Sequence, residues 1–289
     1  MRLVTVVKLG GSVLTDKTRL FSFQEATARR LAVEIRQAGT IPVIVYGTGT
    51  FGKAYARHYS RPGRTTNDWR IFQLTTKAIR QLGENLSQVL HDEGVPHCLI
   101  PANALFYRRE GRLSWDGPGS VARLLECGVA PVLCGDVLAE EQACFRIISS
   151  DDIIPLVSRD MPAGSCVFVT DVDGVLDDSG RLISEIGAGE APLASLGGQD
   201  DITGAMDAKV VAARLVAQNG AAAVIVNGLV PGRLRAALRG DETVGTRVTG
   251  PAPAASAPGA SAPAGSQPGI PAAVTPQPLV NDAARLPWR

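Results

Sequence analysis

Two hydrophobic periods alternate along the first 249 residues. Residues 4–9 (VTVVKL) and 41–46 (IPVIVY) are short β-branched runs, and residues 23–37 between them read as a helix. Residues 67–91 predict a long amphipathic helix. Trp69, Ile71, Phe72, Leu74, Ile79, Leu82, Leu86, Val89 and Leu90 share helical spacing there, behind the cap-type pair Thr66 and Asn67. Four further apolar runs, 97–100, 130–134, 166–170 and 222–226, read as buried strands, with a helix over 206–218 before the last. Strands alternating with helices predict an α/β fold whose largely parallel sheet is covered on both faces. Ligands of such sheets collect at the carboxyl ends of the strands, in the loops that lead into helices.

The periodicity ends at Gly250. Residues 251–289 hold nine of the chain's 19 prolines, eleven alanines and three charged residues, a composition that blocks helices and sheet ladders alike. The expected organisation is therefore one domain over 1–249 and a flexible, partly polyproline-like tail over 250–289. No internal repeat of 20–50 residues is present.

Charge narrows the range of partners. Twenty-nine basic against 28 acidic residues leave a net charge of +1, so no global field favours nucleic acid or an anionic membrane. Any anion must be bound locally. No apolar run approaches the roughly 20 residues that span a bilayer, and the N-terminal apolar stretch ends at Lys8 without a small-residue cleavage site, which reads as a strand rather than a signal peptide. The five cysteines (98, 127, 134, 144, 166) are odd in number and contain no C-x-x-C pair. They are expected to be buried, reduced thiols of a cytoplasmic protein, not a zinc cage or a disulfide framework.

Candidate chemistry lies where the sheet places it. Lys8-Leu9-Gly10-Gly11-Ser12 follows the first strand, and Tyr46-Gly47-Thr48-Gly49-Thr50-Phe51-Gly52-Lys53 follows the second. Glycines permit close backbone approach and let N–H groups face an anion. Neither loop matches the dinucleotide G-x-G-x-x-G pattern or a Walker-A motif. Singly, each reads as an ordinary tight turn; on consecutive strands the pair points to phosphate. Farther on lie RIISSDDI (146–153), VTDVDGVL (169–176) and DITGAMDAK (201–209). Asp151 or Asp152 reads equally as a helix N-cap, Asp171 and Asp173 as Asx-turn residues, and Lys209 as part of a solvated helix face.

The set and its order decide among these. KLGGS, the second glycine loop closing in TFG, the Gly135-Asp136 pair, RIISSDDI, VTDVDGVL, DITGAMDAK and a final VGTRV (244–248) together resemble the amino acid kinase superfamily. Within it they are most similar to isopentenyl phosphate kinases, with fosfomycin kinases close behind, and the resemblance covers residues 3 to about 248. It implies an open three-layer αβα sandwich, a homodimer, an acceptor half followed by a nucleotide half, and ATP with Mg²⁺ as cofactors. It implies catalytic roles for Lys8, Lys17, Asp151 and Lys209, with Asp151 orienting the lysines. Nucleotide contacts are implied at Gly10, Gly11, Ser12, Gly49, Asp171 and Gly204; no protein ligand for the metal follows.

The departures fall at acceptor positions. Lys53 stands where these kinases carry a histidine after the TFG-type triplet, Thr48 stands for a usual glycine, Tyr46 for a usual histidine, and Ser150 for the glycine before the aspartate. Thr48, Lys53 and Ser150 are thus the expected acceptor-binding residues. Lys53 can grip an oxyanion as a flexible point charge. Ile71, Leu74 and Ile79 are candidates to line a cavity for a five-carbon chain, although an amphipathic helix facing its own core has the same pattern. Two acceptors stay open, isopentenyl phosphate and a phosphonate or other small anion. A non-catalytic ligand-binding protein is the third reading, disfavoured by lysines on both sides of a γ-phosphate.

Overall fold

The structure, a computed structural model, describes residues 3–59, 64–140, 144–187, 189 and 205–250. The expected tail beyond residue 250 and the expected nucleotide contact Gly204 lie outside these residues. The chain begins with β1 (Val4–Leu9), α1 (Gly11–Leu14), α2 (Glu25–Ala38), β2 (Val43–Tyr46) and α3 (Gly49–Ala56). Then come β3 (Thr65–Thr66), the long α4 (Trp69–Asp92), β4 (His97–Leu99), the hairpin β5 (Phe106–Arg109) and β6 (Arg112–Trp115), α5 (Pro118–Glu126) and β7 (Ala130–Cys134). A second hairpin, β8 (Asp136–Glu140) and β9 (Cys144–Ile148), precedes α6 (Ser150–Asp160) and β10 (Ala163–Thr170). The last described elements are β11 (Glu185–Gly187), α7 (Ala205–Gln218), β12 (Ala222–Asn227), α8 (Arg233–Arg239) and β13 (Gly245–Thr249).

Eight strands form the main sheet in the order β11-β13-β12-β10-β1-β2-β7-β4, parallel throughout except where β12 meets β13. Alternation along these strands builds two cores. Val6, Val45, Leu133 and Phe168 pack beneath α5, α6 and α7, while Val7, Ile44, Val132 and Val167 pack beneath α2, α4 and α8. This is the expected αβα sandwich. The same alternation turns Lys8 to the face of Val6, the face that α6 covers.

Several local expectations shift. The cap of α4 is Asp68, whose Oδ1 accepts from the Arg70 N–H at 2.8 Å, rather than the Thr66/Asn67 pair. Along α4, Ile79 and Leu82 are buried, but Trp69 and Leu74 are exposed, and the Arg70 guanidinium stacks 4.7 Å from the Trp69 ring centre. Only Cys134 and Cys166 of the cysteines are buried, each thiol pushed up to about 12 chiefly by desolvation; Cys127 is exposed and all five are free. Among the described residues no helix is long and apolar enough to cross a membrane.

Candidate active site

The site assembles at the carboxyl ends of β1, β2 and β10. After β1 the chain is tied to its neighbour by the Gly10 N–H donating to the Val169 carbonyl at 2.9 Å. The two glycine loops then meet backbone to backbone. A Cβ on Gly11 would sit 2.5 Å from the Cα and N of Gly49, a separation that real Cβ atoms do not reach, so the contact excludes any side chain. Gly49 itself has φ +49°, in the left-handed region that glycine occupies without strain. Thr15 fastens the junction. Its hydroxyl donates to the Gly11 carbonyl at 2.7 Å and accepts from the Thr50 N–H at 3.2 Å.

Lys8 is 4% exposed, and its ammonium donates to Oδ1 of Asp151. Asp151 can serve it because the helix end is capped by another residue. Ser149, not Asp151 or Asp152, is the N-cap of α6, and Asp152 closes a capping box: the Ser149 hydroxyl accepts from the Asp152 N–H at 3.1 Å while Oδ2 of Asp152 accepts from the Ser149 N–H at 2.7 Å. Asp151, one position earlier, is left to hold the lysine.

A second lysine–carboxylate pair spans the two halves of the chain: Lys17 donates to Oδ2 of Asp171 at 2.6 Å. Burial pushes the Asp171 carboxyl up, but hydrogen bonds from Lys17 and Ser12 and the charge of Lys17 outweigh it, and the group lies below its ordinary value. Asp173 is occupied differently, accepting from Arg233 at 2.5 Å and Asn227 at 2.9 Å. It braces β10 against β12 and α8. Lys209 lies on α7 and is only 7% exposed, so it is not part of a solvated face.

Thr48, Lys53 and Ser150 line one cavity of about 180 Å³. That is smaller than the roughly 300–1,000 Å³ of drug-sized sites and suits a small molecule. Its lining is mixed: Thr48, Lys53, Arg64, Ser149 and Ser150 are polar, and Ala56, Ile79, Ile147 and Ile148 supply apolar surface. Of the three apolar candidates on the long helix, Ile79 reaches this cavity. Ile71 and Leu74 do not, and Thr75 takes part in the lining instead. The Thr75 hydroxyl is engaged by the Ile71 carbonyl at 2.7 Å and the Tyr59 hydroxyl at 3.0 Å.

The cavity also contains residues to which the sequence assigned no role. Asp136 is 3% exposed, and its carboxylate accepts from the Val137 N–H at 2.8 Å and the Asn103 N–H at 3.1 Å. Desolvation pushes its pKa up against those bonds. Its signal was the Gly-Asp pair directly after a buried strand. Arg64 had none, since it belongs to no motif. Among the described residues no group of three His, Cys, Asp or Glu side chains could cage a metal. A magnesium ion arriving with a nucleotide would take phosphate oxygens and water as its ligands, and the loop amides and lysines fit that polyphosphate rather than the ion.

A parallel sheet with two apposed glycine loops and carboxylate-held lysines at its strand ends defines an α/β protein of the phosphoryl-transfer kind. The chain belongs to the amino acid kinase family, whose sequence model matches residues 4–227. It is similar to the isopentenyl phosphate kinase of Methanothermobacter thermautotrophicus, at 32% identity over 85% of this chain and 98% of that one. The isopentenyl phosphate kinase of Haloferax volcanii is 32% identical over 72% of this chain and 86% of its own length. Among solved structures, an isopentenyl phosphate kinase superposes with a TM-score of 0.72 at 29% identity, covering 84% of this chain and 99% of that one.

Proposed function

We propose that this protein is an ATP-dependent kinase that transfers the γ-phosphoryl group of ATP to isopentenyl phosphate, giving isopentenyl diphosphate and ADP. One observation carries the choice of acceptor: a small cavity, part cationic and part apolar, is lined by Ser150, the residue before Asp151 and its lysine partner. A phosphate monoester with a short hydrocarbon chain matches both parts.

The chemistry follows from charge. An oxygen of the acceptor phosphate attacks the γ-phosphorus; the new O–P bond forms as the bond to the β-phosphate oxygen breaks. The acceptor is already ionised, so no base is needed, and the barrier lies in bringing anions together. Lys8 and the Gly11 amide neutralise the transferring group, the Gly10 amide expected beside them being engaged by the Val169 carbonyl; Lys209 holds the ATP phosphates and Lys17 follows the group as it moves. Asp151 is a positioning residue that aims Lys8. Ser12, Gly49, Asp171 and Gly204 contact the nucleotide, while Lys53, Thr48 and Ser150 grip the acceptor. Mg²⁺ accompanies ATP, the protein is a cytoplasmic homodimer, and residues 250–289 are a tail outside the kinase domain, in line with the family resemblance and the composition.

The test is coupled ADP release from purified protein offered isopentenyl phosphate, dimethylallyl phosphate, fosfomycin and simple carboxylates. The two isoprenoid monophosphates should give the highest kcat/KM. Preference for fosfomycin would establish the phosphonate reading, and ATP bound but never turned over would establish a ligand-binding role.

A further inference from the structure

Arg64 lies on no motif, yet it lines the same cavity as Lys53, Thr48 and Ser150. Its backbone stands out. With φ +53° it is one of three non-glycine residues in the left-handed region among those described, a conformation costly for a side chain with a Cβ. The conformation is pinned from behind. The Arg64 carbonyl accepts from the Ile147 N–H at 3.1 Å, and the next two residues pair with β9, Thr65 opposite Arg146 and Thr66 opposite Phe145.

The charge of Arg64 has no answer among the described residues. Among the described residues, neither its guanidinium nor the Lys53 ammonium has a hydrogen bond or ion pair, whereas Arg108 and Arg146 on the neighbouring hairpins both engage Glu140. The carboxylate in the cavity, Asp136, accepts from the backbone N–H groups of Asn103 and Val137 and from neither cation. Two uncompensated cations on one small cavity call for an anion of charge near −2.

We infer that Arg64 is a specificity-determining residue of the acceptor site: with Lys53 it forms a cation pair that grips a dianionic phosphate and disfavours singly charged acceptors. This rests on the acceptor reading above. A guanidinium offers a phosphate two parallel donors, which a lysine alone cannot.

The strained backbone makes the test clean. Glycine adopts the conformation that Arg64 is held in without strain, and that relief offsets the entropy a glycine adds to the unfolded chain, so R64G removes the side chain at little cost to the fold. R64G and the uncharged R64Q should raise the KM for isopentenyl phosphate about ten- to hundredfold, as expected for one charged hydrogen-bonding group. The KM for ATP should stay within twofold, R64K should recover part of the loss, and the Tm of R64G should equal or exceed the parent's. An acceptor KM within twofold of the parent in both R64G and R64Q would overturn the inference, as would a fall in Tm that accounts for the lost activity in both. Failure of the acceptor reading shows separately, as a parent that does not phosphorylate isopentenyl phosphate. In that event calorimetric titration of inorganic phosphate into parent and R64G decides: binding lost in R64G supports the cation pair, and equal binding, or none in the parent, refutes it.

Discussion

Lys8 and Lys17 show how one residue type is set to two tasks by its surroundings. Lys8 is buried on the sheet and locked to Asp151; Lys17 is largely exposed and reaches Asp171 across 154 positions of sequence. The second contact is the more adjustable. Because Asp171 titrates below its ordinary value in the folded protein, its contribution to stability is present above the unfolded pKa and is lost as pH falls through the folded one. Lys17→Met removes the ammonium that lowers it. The Asp171 carboxyl, followed by carbon NMR, should then titrate at higher pH than in the parent, and the stability that this group loses in acid should be smaller, because its folded and unfolded values lie closer together. An unmoved titration would mean that Lys17 does not hold this carboxylate in solution. Residue-scale roles were legible in the sequence where a motif carried them, as for Lys8 and Asp151. Arg64 and Thr75 escaped because their place in the cavity depends on how β3 and α4 pack, which no local spacing encodes.

At the scale of elements, the start of α6 is the joint on which the site turns. The sequence offered Asp151 and Asp152 as caps, yet the capping box uses Ser149 and Asp152, and this division of labour leaves Asp151 for Lys8. Ser149→Ala should cost about 1 kcal/mol, the usual worth of an N-cap, and lower Tm by roughly 2–4 °C for a domain of this size. It should also lower kcat, because Asp151 rides on the first turn. A thermal melt and a turnover measurement check both, and an unchanged Tm would show that the box contributes nothing. The apolar strands β1, β2, β4, β7, β10 and β12 and the three longest helices, α2, α4 and α7, were readable from the pattern of apolar positions. The hairpins β5–β6 and β8–β9 were not, since charged residues break up their segments (FYRR, RLSW, DVLAE, CFRII), whereas equally short strands such as β2 and β7 are unbroken apolar runs. The exposed Trp69 and Leu74 likewise follow the helical pattern without joining the core.

For the whole molecule, the order of strands explains why distant motifs share one site. β1 lies between β10 and β2, so the first glycine loop meets Val169 on one side and Gly49 on the other, and β10 carries Asp171 to the same sheet end. The alternation of strands and helices made a parallel sheet legible, but not this order, which follows from long-range pairing. The central claim is that this arrangement moves a phosphoryl group onto a phosphate at the cavity lined by Lys53. Phosphorus NMR of ATP, isopentenyl phosphate and the full-length protein tests it most directly. The account predicts that the monophosphate resonance gives way to the two coupled resonances of a diphosphate monoester as ATP becomes ADP, and that Lys209→Ala slows this by about 10²–10³. Conversion of ATP to ADP and inorganic phosphate, with the isopentenyl phosphate signal intact, would contradict it.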